Sequence, residues 1–215
     1  HNELFYKKSD RRIILNLGGI ANYTYISNKR NLWGSDVGPG NALLDAYCQQ
    51  FLNKPFDRNG KIASKGQIVK SELQKLLSNE FFIKPFPKST GKELFNLNML
   101  SSKFIKESPE NVLATLTEFS ALCVANAIKK NKHNSKDVII CGGGGNNKFL
   151  VNRLSDLVKT KVTLSTDLGY DIQAIESMAF AWLGFKRFTN QPLKIQLGKN
   201  NFAKGLLGSI AQSKQ

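Results

Sequence analysis

Asp36 stands in the stretch "GSDVGPGNALLD" (residues 34–45), hemmed in by Gly34, Gly38, Pro39 and Gly40. A carboxylate at a strand end facing a cleft can take a proton from a hydroxyl or a water, the work of a general base. Aspartate in a turn is also a common helix cap. Here Asn41, or the Pro39-Gly40 pair, is better placed to start the helix that follows, because Asp36 lies several residues too early. Glycines also end two other apolar stretches, as Gly18-Gly19 and as Gly142, Gly143, Gly144 and Gly145. Such loops let a backbone turn with φ > 0 and let a phosphate or nucleoside approach amide N–H groups with no Cβ in the way. Helices expected after the second and third loops would add partial positive charge for an anion. No Gly-Lys-Ser/Thr follows any of them, so none is a P-loop, and "GGGGNN" is no dinucleotide fingerprint.

The elements that must position these residues are legible in outline. "RRIILNL" (11–17) is an apolar strand, "IANYTYIS" (20–27) its antiparallel return, and "NLWGSDVG" (31–38) a third strand ending in the glycine loop. Apolar residues at helical spacing in "NALLDAYCQQFLN" make the next element a helix opened by Asn41 or Asp45. Residues 53–110 break the rhythm, with Pro55, Pro85, Pro87 and Pro109 among them. Within them "GQIVKSELQKLLSN" reads as a helix and "FFIKPFPKSTGKELFN" as an ordered loop, so the segment reads as an insertion. Alternation then resumes: helix 111–131, strand "DVIIC", helix "KFLVNRLSDLV", strand 160–167 and helix 171–188. The tail "QPLKIQLG" reads as irregular. Three antiparallel strands followed by parallel additions with helices between them predict an α/β fold. Its form is a ribonuclease-H-like mixed sheet with flanking helices, one half of the sugar kinase, Hsp70 and actin architecture, plus the inserted segment.

Composition narrows the classes. Hydrophobic residues at 41% and charged residues at 22% are ordinary for a globular chain. No run approaches the roughly 18 apolar residues of a membrane span, and no membrane partner is expected. The three cysteines are far apart and share no metal-ligand spacing with His1 or His133. They read as buried free thiols in a reduced, cytoplasmic chain, with no metal site. The formal net charge of +15 raises nucleic-acid binding. The lysines are scattered, however, and the densest groups ("KKNKHNSK" at 129–136, "KRF" at 186–188) fall at helix ends, where cations suit the dipole. A solvated basic surface is the expectation, not a nucleic-acid face.

Six stretches follow one another in order: "NLGGIANYT" (16–24), "SDVGPGNALLDAY" (35–47), "PKSTGKELFN" (87–96), "ATLTEFSA" (114–121), "ICGGGGNNKFL" (140–150) and "IESMAFAWL" (175–183). Together they resemble the anhydro-N-acetylmuramic acid kinase family, over about residues 12–210. The resemblance implies an ATP-dependent kinase of peptidoglycan recycling, using ATP with Mg2+. Water attacks C1 of 1,6-anhydro-N-acetylmuramic acid, the anhydro bond opens, and the freed O6 takes the γ-phosphoryl group. The family's base is the aspartate of Asp-x-Gly-Pro-Gly-Asn, which maps to Asp36; Val37 stands where the family usually has Thr. By the same resemblance Gly18, Gly19 and Asn22 lie near the phosphates. Gly142 to Gly145 with Asn146 hold the nucleoside end. Gly38, Pro39, Gly40, Asn41, Lys88, Ser89, Thr90 and Glu176 contact the sugar or shape its site. Members of the family pair as homodimers.

The family has two such domains with ATP between them, the first carrying a Gly-Thr-Ser-x-Asp-Gly phosphate loop. No such motif occurs here, and "HNELFYKKSD" reads as the ragged start of a fragment. The chain is expected to be the C-terminal domain (11–210, with the insertion at about 53–110) without the first one, and activity is not expected of it alone. A non-catalytic nucleotide-binding or interaction module is the alternative.

Overall fold

An apolar run and an alternating return strand open a three-stranded meander. Strands β1 (Arg12–Leu17), β2 (Ile20–Asn28) and β3 (Asn31–Pro39) pair antiparallel in turn, and β4 (Asp137–Cys141) and β5 (Lys161–Leu164) add in parallel beside β1. The sheet order is β3-β2-β1-β4-β5, as the sequence predicts. The computed structural model describes residues 1–8, 10–28, 31–198 and 201–211. Helices α1 (Asn2–Phe5), α2 (Ala42–Leu52), α3 (Lys70–Leu77) and α4 (Ser102–Ile105) precede a long α5 (Pro109–Lys130). Helices α6 (Lys148–Val158) and α7 (Ala174–Phe188) follow, then a hairpin of β6 (Leu193–Gly198) and β7 (Asn201–Gly205). Two units result, His1–Ile172 and Gln173–Gln215.

One face of the sheet is closed by α5 and α6. Ile13, Leu15, Tyr23, Val37, Val138 and Ile140 pack there against Ala121, Val124, Leu150 and Leu154. Each fully buried Leu, Ile or Val of this kind contributes about 1.5–3 kcal/mol. Ser108 starts α5 by accepting the Asn111 N–H, with Pro109 at the first helical position, where its missing N–H costs nothing. Glu118 is buried within α5 and pairs through both carboxylate oxygens with the Arg153 guanidinium of α6, at 2.8 Å for the Nη2 contact. That fork ties the two helices in register. Contrary to the expectation that no stretch matches a membrane span, α5 has the length and composition of one. Its apolar residues are spent on the core, since 78% of its most apolar window is buried inside the molecule.

The inserted segment builds a second core. Leu76, Phe81, Phe95, Leu100 and Phe104 close over Leu43, Leu44 and Tyr47 of α2 and Val112, Leu116 and Phe119 of α5. Polar groups fix its turns: Asp57 accepts the N–H groups of Ile62 and Ala63, and Glu72 accepts from Ser101. The expected helix is α3, and residues 83–96 form an ordered loop containing a cis Phe86–Pro87 bond.

The first residues fold onto the domain: α1 buries Phe5 to 2% exposure, and the Phe5 ring meets Tyr170 edge-on at 5.3 Å. One sequence expectation fails. The tail is not irregular, for Leu193 pairs with Gly205 and Ile195 with Ala203. Leu-Lys-Ile-Gln-Leu alternates with a period of two, which the flanking Pro192 and Gly198 obscured.

Candidate active site

Strands β1, β3 and β4 run in one direction, so their C-terminal ends share an edge of the sheet, where ligands gather in open α/β folds. The glycine loops leave that edge and close on one another. A Cβ on Gly40 would collide with the Gly18 carbonyl oxygen. One on Gly144 would strike Asn41 Nδ2 and Leu17, and one on Gly142, at φ +84°, would strike Asn16 Oδ1. Asn41 sits at this junction as the N-cap of α2, its Nδ2 donating to the Gly18 carbonyl at 3.4 Å. Gly143 differs: it is exposed, and a Cβ there would meet nothing within 4 Å. Asn146, three residues on, is exposed as well.

The start of α2 is not the anion-facing end that the sequence suggests. The N–H groups of Gly40 and Ala42 donate to the Gly19 carbonyl at 2.9 and 3.0 Å, and that of Asn41 to the Gly18 carbonyl at 2.9 Å. The β1–β2 turn therefore caps the helix from outside and satisfies its leading donors. In return the Gly18 and Gly19 N–H groups find no acceptor among the described residues. The donors available to an anion lie in the turn, not in the helix.

Asp36 projects from β3 beside a β-bulge. Asn22 pairs with Asp36 while its neighbour Ala21 pairs with Gly38, leaving Val37 as the extra residue. A bulge bends its strand and re-aims the adjacent side chain. Val37 turns into the core at 1% exposure while Asp36 remains half-buried. The loop at 88–90 then docks along β3. The Asp36 N–H donates to the Lys88 carbonyl at 3.0 Å, and the Lys88 N–H to Ser35 Oγ at 2.9 Å. The Thr90 N–H donates to Asp36 Oδ2 at 2.9 Å. Oδ1 has no hydrogen-bond partner among the described residues. The carboxylate is thus held by one oxygen and presents the other to a cleft of about 480 Å³, lined by Asn22, Thr24, Gly34, Pro87 and Ser89 among others.

The remaining candidates separate by environment. Gly38, Pro39 and Gly40 are buried, and Gly38, at φ +153°, leaves room for Cys123 of α5, whose Cβ would lie 2.8 Å from an added methyl. These residues shape the edge more than they line it. Lys88 does not offer its ammonium to the cleft as a sugar contact would. Its Nζ donates to the Phe81 carbonyl at 2.6 Å and lies 4.1 Å and 4.5 Å from the Phe81 and Phe86 ring centres. Burial, aided by repulsion from Lys130 and Lys84, lowers its pKa. Thr90 Oγ1 is buried without a partner among the described residues, and Ser89 is exposed. Glu176 lies in the first turn of α7 in the second unit and is exposed.

Sequence reasoning passed over two residues here. Lys92 belongs to the quoted stretch "PKSTGKELFN", and its side chain lies against Gly19: a Cβ there would stand 2.7 Å from Lys92 Cε and 3.4 Å from Nζ. Asp45, in the first turn of α2, is raised from 3.8 to about 6 by burial, with Lys92 opposing the shift. A carboxyl whose folded pKa exceeds its unfolded value favours folding at low pH, and that contribution is lost as pH rises through about 6. Asp45→Asn is therefore expected to raise the melting temperature at about pH 8 and to lose its advantage as pH falls toward about 4, measured by thermal scans of both proteins across that range. The cysteines answer the expectation directly: all three are free and buried, and burial pushes Cys48 up to about 12 and Cys141 up to about 11. Among the described residues no group of three or more His, Cys, Asp or Glu could hold a metal ion.

Comparison with known proteins adds three findings. The family model for anhydro-N-acetylmuramic acid kinase matches residues 1–213. A protein of that name from Gamma-proteobacterium EBAC31A08 is 56% identical over 214 residues, which cover 100% of this chain and 58% of the relative. Another from Pseudomonas savastanoi pv. phaseolicola is 40% identical over 187 residues, 85% of this chain and 51% of the relative. The chain thus spans about half the length of the curated relatives it matches. Among solved structures, the activator of the 2-hydroxyisocaproyl-CoA dehydratase from Clostridium difficile with bound ADPNP aligns with a TM-score of 0.54 at 17% identity, over 91% of this chain and 67% of that one. That likeness concerns the fold alone, a mixed five-stranded sheet with flanking helices. A match across nearly every residue, together with relatives at 40–56% identity, makes this chain a member of the anhydro-N-acetylmuramic acid kinase family.

Proposed function

We propose that the full-length protein phosphorylates 1,6-anhydro-N-acetylmuramic acid with ATP and water, giving N-acetylmuramic acid 6-phosphate and ADP, and that this chain carries the general base, Asp36. The observation that supports the reading best is the carboxylate itself. One oxygen is fixed by the Thr90 N–H and the other is turned to a cleft within the 300–1,000 Å³ span of small-molecule sites. In this reading Asp36 Oδ1 takes a proton from water as the water oxygen bonds to C1. The C1–O6 bond breaks, and O6 accepts the γ-phosphoryl group as ADP leaves. The Gly18 and Gly19 N–H groups, with Asn22 close to the base, receive phosphate oxygens, and the open Cα of Gly143 lets the nucleoside approach. Gly142, Gly144 and Gly145 hold that loop, and Asn146 borders it. Ser89 and Thr90 face the sugar, and Gly38, Pro39, Gly40 and Asn41 keep the cleft edge in shape. Mg2+ would arrive on the nucleotide's phosphates, since the described residues form no cluster for it, and no step here depends on a protein ligand to it. A cytoplasmic homodimer in peptidoglycan recycling completes the reading.

The full-length protein should release ADP only when the anhydro sugar is supplied, with the new phosphate on O6 by ³¹P NMR. Equal ADP release without the sugar would contradict the proposal. Nucleotide binding with no turnover under any sugar would favour a non-catalytic binding module instead.

A further inference from the structure

We propose that Lys92 supplies the cation for a phosphoryl group bound at the Gly18–Gly19 turn. The inference deepens the kinase reading above and rests on it. The turn holds amide donors without acceptors among the described residues, while its carbonyls accept from the start of α2. Amides alone form a weak anion site, and a charge-assisted donor roughly doubles the strength of each contact. The sequence has no P-loop lysine to provide one. Lys88, whose carbonyl accepts the Asp36 N–H, is committed elsewhere, its ammonium held by the Phe81 carbonyl and two rings.

Lys92 is the cation that the fold delivers. Its Cε and Nζ lie against Gly19, and no carboxylate is within ion-pair distance of Nζ among the described residues. Any side chain at position 19 would take the place of Lys92 Cε, at 2.7 Å, so this approach requires the glycine. Asp45 is the acidic neighbour that feels the Lys92 charge, and burial disfavours the ionised form of Asp45. The same five residues thus serve both reacting centres: Lys88 and Thr90 fix the base, and Lys92 reaches the turn.

Steady-state kinetics of the full-length protein with Lys92→Met, Lys92→Arg and Gly19→Ala tests this. Lys92→Met is expected to lower kcat/KM for ATP by roughly 10- to 100-fold, as befits a lost charged hydrogen bond, with KM for the sugar within about twofold. Lys92→Arg should recover most of the loss. Gly19→Ala keeps the charge but displaces it, so it should impair ATP use in the same sense and add little on top of Lys92→Met. Lys92 is exposed and Gly19 meets only a flexible chain end, so unchanged thermal scans will show that all variants fold. Unaltered ATP kinetics in Lys92→Met would overturn the proposal, as would a defect confined to KM for the sugar, which would assign Lys92 to the sugar carboxylate. Calorimetry of the same proteins with ATP separates this inference from the kinase reading. If wild type binds ATP but never turns over, the kinase reading falls, while weaker or lost binding by Lys92→Met still upholds the cation and equal binding rejects it.

Discussion

Asp36→Asn in the full-length protein is expected to lower kcat by roughly 10²–10⁴-fold, the usual worth of a positioned general base, with KM for ATP little changed. The substitution is nearly isosteric, and the amide oxygen can still accept the Thr90 N–H that holds Oδ2 at 2.9 Å. The bulge at Val37 and the docking of residues 88–90 along β3 use backbone atoms and Ser35 Oγ, which the change leaves alone. What is lost is the capacity of the second oxygen to take a proton. A coupled ADP assay at saturating sugar, with circular dichroism as the control for folding, reads the effect. Normal turnover by the folded variant would remove Asp36 from the chemistry and return it to the role of a turn residue. If it is the base, Ser35→Ala should move the same carboxylate only indirectly, through the Lys88 N–H left without its acceptor.

Most of the frame that carries Asp36 could be read from residue types, since short-range pattern determines it. The apolar run "RRIILNL" and the alternation in "IANYTYIS" give the meander, and the break at residues 53–110 marks the insertion. The points that escaped are those decided by partners distant in sequence. Lys88 looks like a cleft cation until Phe81 and Phe86, in a loop without periodicity, fold around its ammonium. Likewise the N-terminal end of α2 looks like an anion site until the turn at Gly18-Gly19, more than twenty residues earlier, takes its donors. The role open to Lys92 depends on one approach between residues 19 and 92. No local window contains both. Glycine richness was visible, but its cause was not, because a glycine needed for backbone contact and one needed for ligand approach look alike in sequence.

Gly40→Ala and Gly143→Ala divide those two causes, and the first is expected to be the most destabilising single-methyl change at the site. At Gly40 the added methyl would meet backbone rather than a movable side chain: the Gly18 carbonyl oxygen, then the Gly18 carbonyl carbon at 3.2 Å and the Ala21 nitrogen at 3.4 Å. The strand turn and the helix start cannot part without stretching the three N–H bonds from Gly40, Asn41 and Ala42, and the Ser120 hydroxyl bond to the Gly40 carbonyl at 2.8 Å would go with them. Overpacking of this kind costs about 1–3 kcal/mol, which in a chain of this length lowers the melting temperature by about 2–4 °C for each kcal/mol. Gly143 has open space where the methyl would go, so Gly143→Ala should melt with wild type. Its effect should appear in nucleotide affinity, because among the described residues the methyl obstructs nothing. Thermal scans beside ATP calorimetry on the two variants therefore distinguish glycines that build the edge from the one that leaves it open. A large stability loss in Gly143→Ala, or none in Gly40→Ala, would mean that the loops do not close on one another through Gly18, Asn41 and Leu17.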